Sequence, residues 1–135
     1  MKILYLFLGL VVSLVLTGCQ TSQQMSSLPQ IKDGVKPANF YLLRPHIFVG
    51  DATGASLYFD GQLIAQLGSG DYLVFKVSPG THTIATKLGD SGLHSQTVAC
   101  ESGVDYYFVA RRTIEILSAA DGEKMKKKLR EIILN

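Results

Sequence analysis

Hydrophobic positions fall in four distinct patterns along this chain. Residues 3–16 form an almost unbroken apolar run, interrupted only by Gly9 and Ser13. Residues 20–37 are polar, show no sustained period, and are punctuated by Pro29, Gly34 and Pro37. From Phe40 to Arg112 short apolar runs alternate with turn residues, the signature of short strands rather than helices. After residue 118 the spacing changes to that of an amphipathic helix, with Met125, Leu129, Ile132 and Ile133 at i, i+4, i+7 and i+8 behind an N-cap at Asp121.

Within the third region, Phe40–Leu43 stops at Arg44-Pro45, and Ser56–Phe59 meets Asp60-Gly61 and resumes as Gln62–Leu67. Asp-Gly between apolar runs predicts a type I′ hairpin, because both central positions need positive φ. Leu73, Phe75 and Val77 alternate with Tyr72, Val74 and Lys76, and Ser78-Pro79-Gly80-Thr81 predicts a turn into a partner strand at His82–Thr86. Strands at His94–Cys100 and Asp105–Arg112 complete the pattern. The expected fold is all-β: a small antiparallel β-sandwich of about seven strands. Its expected boundaries are 38–117, followed by a C-terminal amphipathic helix at 118–135.

The first region decides the expected address. Met1-Lys2 followed by 14 apolar-run residues is too short to span a bilayer, which needs roughly 20. A positive start, a 7–15-residue apolar stretch and then small residues is the secretory-signal pattern; a buried N-terminal helix would lack both a polar face and a cap. Leu16-Thr17-Gly18-Cys19 at the exit of that run resembles a bacterial lipobox. That resemblance implies cleavage between Gly18 and Cys19, removal of 1–18, and a diacylglycerol on the Cys19 thiol. Acyl chains there would anchor the protein stably. By resemblance to Gram-negative lipoproteins, Gln20 rather than Asp implies the outer membrane, with the domain facing the periplasm. Residues 19–37 would be a flexible tether, holding the domain on the order of 20–25 Å from the membrane.

Composition then narrows the class. The chain has 135 residues and is 47% hydrophobic, which excludes disorder and leaves room for one domain, but 13 of the first 18 residues are hydrophobic, so the core is less greasy than the average suggests. Two cysteines exclude a disulfide scaffold, and with Cys19 acylated Cys100 has no partner. Cys100 shares a strand face with Val98, as a small buried hydrophobe would; an intermolecular disulfide or a reactive thiol is the alternative. A net charge of +2 excludes nucleic acid as a partner by charge, and the expected compartment excludes it again.

Leu42-Leu43-Arg44-Pro45, Tyr58-Phe59-Asp60-Gly61, Gly70-Asp71-Tyr72, Pro79-Gly80-Thr81-His82-Thr83 and Tyr106-Tyr107-Phe108-Val109 resemble, in that order, a family of small Gram-negative lipoproteins, domain-of-unknown-function family 2846. The Asp-Gly and Pro-Gly turns are also similar to PEGA-type surface β modules. The resemblance covers residues 38–112. It implies an architecture and a location, and no catalytic residues.

Motifs for catalysis and cofactor binding are weak. Gly89-Asp90-Ser91-Gly92 is followed by Leu93 where a serine-protease loop needs Gly, and Gly68-Ser69-Gly70 lacks the third Gly of a dinucleotide loop. His46, His82 and His94 show no metal-ligand spacing, so no metal and no cofactor is expected. Asp60, Asp71 and Asp90 have turn explanations. The alternative to a binding module is a small envelope hydrolase using His82 or His94 with Ser91 or Cys100; a third option is an inhibitor of an envelope enzyme or phage receptor.

The tail concentrates the positive charge: five of the seven residues 124–130 are basic, namely Lys124, Lys126, Lys127, Lys128 and Arg130. One expectation is a helix docked on the sheet with Lys126 and Lys128 snorkelling around its apolar stripe, and Lys127 and Arg130 pointing away. The other is contact of these five residues with anionic lipid, lipopolysaccharide phosphate or acidic peptidoglycan peptides. Tyr41, Tyr58, Tyr72 and Tyr107 are candidates for a binding face, or for packing at the sandwich edge. The function expected is binding or scaffolding in the cell envelope, with the membrane reached through an N-terminal lipid.

Overall fold

The structure, a computed structural model, describes residues 22–46 and 53–134. Its elements in chain order are β1 (Gln23–Gln24), β2 (Ala38–Leu43), β3 (Ala55–Phe59), β4 (Gln62–Leu67), β5 (Asp71–Val77), β6 (Gly80–Leu88), β7 (His94–Cys100), β8 (Asp105–Ala110), β9 (Ile114–Leu117), α1 (Ala119–Lys126) and β10 (Arg130–Ile132). They form two five-stranded sheets. Sheet I has the order β1-β4-β3-β6-β7 and is antiparallel throughout. Sheet II has the order β10-β5-β2-β8-β9, with β10 parallel to β5 and β2 parallel to β8. The expected β-sandwich is therefore the observed architecture.

Period-2 alternation builds the core. In β5, Leu73, Phe75 and Val77 point inward and are buried while Tyr72, Val74 and Lys76 face away. Phe40 on the central strand of sheet II is fully buried and meets Phe59, Phe75 and Phe108 with ring centroids 4.9–6.0 Å apart. Leu57, Ile64, Leu67, Ile84 and Val98 come from sheet I to the same core. Asp60 (φ 47) and Gly61 (φ 83) make the β3–β4 hairpin, as the positive-φ requirement predicts.

The turn at Ser78-Pro79 does something else. Instead of joining partner strands, it carries the chain from β5 in sheet II to β6 in sheet I. Residues 101–104 carry it back from β7 to β8 in the same way. A Pro-Gly turn satisfies a reversal within one sheet or an arch between two equally well, and the partners available to each strand decide between them.

Sheet II is covered on both faces. Its outer face presents Tyr41, Leu43, Tyr107 and Val109, packed under Leu117, Met125 and Leu129. Helix α1 starts at an N-cap on Ser118, whose Oγ accepts from Asp121 N at 3.2 Å, not on Asp121 itself. A Cβ at Gly122 would collide with the Tyr107 ring, so glycine is what lets the helix seat on the sheet.

The helix stops at Lys126, short of the expected 118–135. Arg130–Ile132 pairs instead with the free edge of β5, where Arg130 N donates to Gly70 O at 2.9 Å. The apolar stripe of a helix and the inward positions of a three-residue strand coincide over so short a stretch, and the unpaired edge decides the outcome.

The tether also enters the fold early. Ser22 Oγ donates to Asp71 Oδ2 at 2.7 Å and accepts from Gly68 N at 2.8 Å, while Gln23 and Gln24 pair with Gln66 and Ala65. Ser26 Oγ donates to Leu63 O at 2.6 Å. Residues 22–26 thus form an edge strand and its exit, rather than a free coil.

Candidate functional site

The basic tail borders a groove of about 540 Å³ between α1 and the end of β2. Leu117, Met125, Leu129 and Pro45 make an apolar lining, and Lys124, Lys128, His46 and Asp121 supply its polar groups. Lys124, Lys127 and Lys128 are exposed because the helix turns its apolar side to sheet II. A groove of this composition suits a ligand with an apolar body and an anionic group.

Lys126 faces inward. Its Nζ lies 2.6 Å from Glu123 Oε1 and 4.6 Å from the centre of the Tyr41 ring, which stacks on Tyr107 at 4.7 Å. The Tyr107 hydroxyl donates to the same Glu123 oxygen. Hydrogen bonds from Lys126 and then Tyr107 lower the Glu123 pKa. The Glu123 hydrogen bond raises that of Lys126, and burial followed by the Glu123 hydrogen bond raises that of Tyr107. Of the five basic residues, Lys126 is therefore spent on holding the helix to the sheet. Arg130 is spent as well, on Asp71: its Nε and Nη2 reach the two carboxylate oxygens at 2.9 and 3.1 Å. Its side chain remains 73% exposed, so the cation is fixed without being hidden.

The tyrosines do not form one face. Tyr41, Tyr72 and Tyr107 lie on the outer side of sheet II with the helix packed against it, and Tyr107 is 2% exposed. Tyr58 is on sheet I. Packing explains the first three, because α1 covers the sheet face from which they project.

The histidines are dispersed. His46 Nδ1 lies 3.2 Å from Ser69 Oγ. His82 is held between Asp60 Oδ2 and Ser78 O, each at 2.8 Å. His94 lines a shallow depression with Thr53, Leu88, Gly89, Asp90, Ser91 and Arg112. Among the described residues no three metal-ligating side chains gather.

For the hydrolase alternative, the structure brings His82 and Cys100 to one carbonyl. Cys100 Sγ donates to Ser78 O at 3.4 Å, beside the His82 contact. His82 directs Nδ1 at Asp60 Oδ2 and Nε2 at Ser78 O, so neither nitrogen is hydrogen-bonded to the thiol. Burial pushes the Cys100 thiol up, the opposite of an activated nucleophile. Ser91 Oγ accepts from Leu88 N at 3.1 Å and donates to Gly92 O, closing its own turn. The contacts of Cys100 and Ser91 are thus those of the core and of a turn, while Ser91 and His94 line the same depression.

Two residues matter more than their sequence context suggests. Arg44, read in sequence as a strand stop, is fully buried; its guanidinium donates to Thr53 O at 2.8 Å and Ala110 O at 3.5 Å, joining both sheets at one end. Asp71 opens β5 rather than a turn and gathers Ser22 and Arg130 while 3% exposed. The signal for Arg44 was a charged residue directly extending an apolar run; for Asp71, an inward position in the β5 alternation. Cys19 and Gly18, the positions expected for acylation and cleavage, lie outside the described residues.

Comparison with known families supplies the remaining context. Residues 35–122 match the family model described as a protein of unknown function, DUF2846, and the chain belongs to that family. The match contains β2 to β9 and ends within α1, at Gly122. No curated protein matches the chain.

Proposed function

We propose that this protein is a lipid-anchored β module of the bacterial cell envelope that works by binding, not by making or breaking bonds. The observation that carries the reading is Leu16-Thr17-Gly18-Cys19 at the exit of an apolar run. Cys19 is the residue whose thiol accepts diacylglycerol in that pattern, and the folded domain starts only three residues later, at Ser22. The groove beside α1 supports the binding part: an apolar lining with Lys124 and Lys128 at its margin fits an amphiphilic, anionic envelope component. Lipopolysaccharide, acidic peptidoglycan peptides and an envelope protein are the partner classes with that chemistry, and the outer membrane facing the periplasm is the location proposed.

The test is the mass and distribution of the native chain. The mature protein should begin at Cys19, carry the added mass of acyl chains and fractionate with membranes. Cys19→Ser should retain residues 1–18 and lose the acyl mass. A native chain that keeps residues 1–18, or carries no acyl group, removes the anchor from the reading.

A further inference from the structure

The start of the fold fixes one end of the sandwich, and that end carries exposed arginine and lysine. Ser22 is tied to Asp71 and Gly68; Asp71 binds Arg130; Arg44 N donates to Asp71 O and Gly70 N to Arg44 O. The Arg44 guanidinium reaches Ala110 O, directly before Arg111 and Arg112 in the β8–β9 turn, and Thr53 O. Thr53 in turn shares a depression with Gly89, Ser91, His94 and Arg112. These contacts place the N-terminal attachment, Arg111, Arg112, Arg130 and the Gly89–Leu93 loop at the same end. Lys128 joins them across the groove from Pro45 and His46. Arg111, Arg112, Lys128 and Arg130 are all exposed, and Leu93, the last loop residue before β7, is 58% exposed. Among the described residues the acidic groups there are Asp71, held by Arg130, Glu115, 3.8 Å from Arg111, Asp90, Asp121, which lines the groove with Lys128, and Glu131, which accepts from the Tyr72 hydroxyl.

We infer that this end of the sandwich lies on the membrane surface, with Arg112, Lys128 and Arg130 against the phosphate headgroups of anionic phospholipid and Leu93 at the interface. The inference rests on acylation at Cys19. Two residues, Gln20 and Thr21, separate Cys19 from Ser22, and the three Cα-to-Cα steps span at most about 10 Å. A flexible tether of eighteen residues would leave the domain free to tumble, but this short link holds the Ser22 end within about one Debye length of the lipid charge. Cations at that end meet the anionic surface at close range, and the opposite end, where Asp60, Glu101 and Asp105 stand with Lys36 beside Gly103, points away from it. An exposed leucine beside exposed arginines is the pairing that interfacial contacts use.

The test uses the full acylated chain on vesicles containing phosphatidylglycerol, with an environment-sensitive probe at Leu93→Cys or, at the other end, Glu101→Cys. The native Cys100 thiol is buried, so labelling reports the introduced position. A lipid-borne quencher should quench the probe at 93 severalfold more than the probe at 101. That contrast should shrink on phosphatidylcholine vesicles, at high salt and in Arg112→Glu/Lys128→Glu. Equal quenching at the two positions overturns the orientation, and an undiminished contrast on phosphatidylcholine or in the double variant overturns the headgroup contact. A chain with no acyl mass sinks the anchoring and this inference together; acyl mass without the contrast sinks this inference alone.

Discussion

The two sheets solve the same problem of burial in different ways. Sheet I is antiparallel, buries one face, and includes two in-sheet hairpins, β3–β4 and β6–β7. Sheet II is assembled from distant segments, with two parallel pairings and apolar side chains on both faces. An antiparallel sheet can leave one face to water, whereas a sheet with two apolar faces needs a second layer. Here that layer is one short helix, so the outer half of sheet II depends on α1 in a way sheet I does not.

The largest expected effect is at Gly122. Gly122→Val puts atoms where the Tyr107 ring sits and should cost about 1–3 kcal/mol, the usual range for overpacking. Hydrogen exchange should speed up in β8, β9 and α1 while β3, β4 and β6 stay protected. Equal loss in both sheets would show that the helix supports the whole sandwich, erasing the distinction.

Asp71→Asn comes next. It weakens the paired contact with Arg130 and the bond from Ser22, and about 1–2 kcal/mol is expected, since hydrogen bonds to a charged group are involved while the Arg130 side is open to solvent. β10 and β1 should lose amide protection first, because this one carboxylate pins an edge strand of each sheet. Loss confined to β10 would show that β1 is held by its pairing with β4 alone.

The smallest effect is expected from pH. With Glu123 lowered, its contribution is present above the ordinary glutamate pKa and is lost as pH falls through the lower folded value. With Tyr107 and Lys126 raised, theirs are present below their ordinary values near 10 and are lost as pH rises through the higher folded ones. Helix docking should therefore loosen at both extremes. Tyrosine emission can follow it, because the chain has six Tyr and no Trp. Glu123→Gln should flatten the acid limb; an unchanged acid limb would assign it to other carboxylates.

Sheet I was the more legible half for the same reason that it is the more self-contained. β4 and β7 fall at the residues that alternation predicts, and the Asp60-Gly61 turn has the backbone expected of it. What escaped were pairings set by distant partners. β1 is two glutamines with no apolar signal, β9 is four residues, and the helical spacing of Leu129, Ile132 and Ile133 predicts a helix where β10 forms. A three-residue strand has no period of its own, and only the open edge of β5 identifies it. At the candidate site, the exposed lysines were visible as charge. Their division into structural Lys126 and available Lys124, Lys127 and Lys128 needed the position of Tyr41.

Placing β10 beside β5 also has a consequence in time. Residues 71–77 are made more than fifty residues before the strand that covers their edge, and α1 arrives only shortly ahead of it. A chain emerging from its N-terminus can form the β3–β4 and β6–β7 hairpins at once, but sheet II keeps an open edge and a bare face of Tyr41, Leu43, Tyr107 and Val109 until residues 119–132 appear. A chain cut off before residue 119 would retain that exposed face as a site for aggregation.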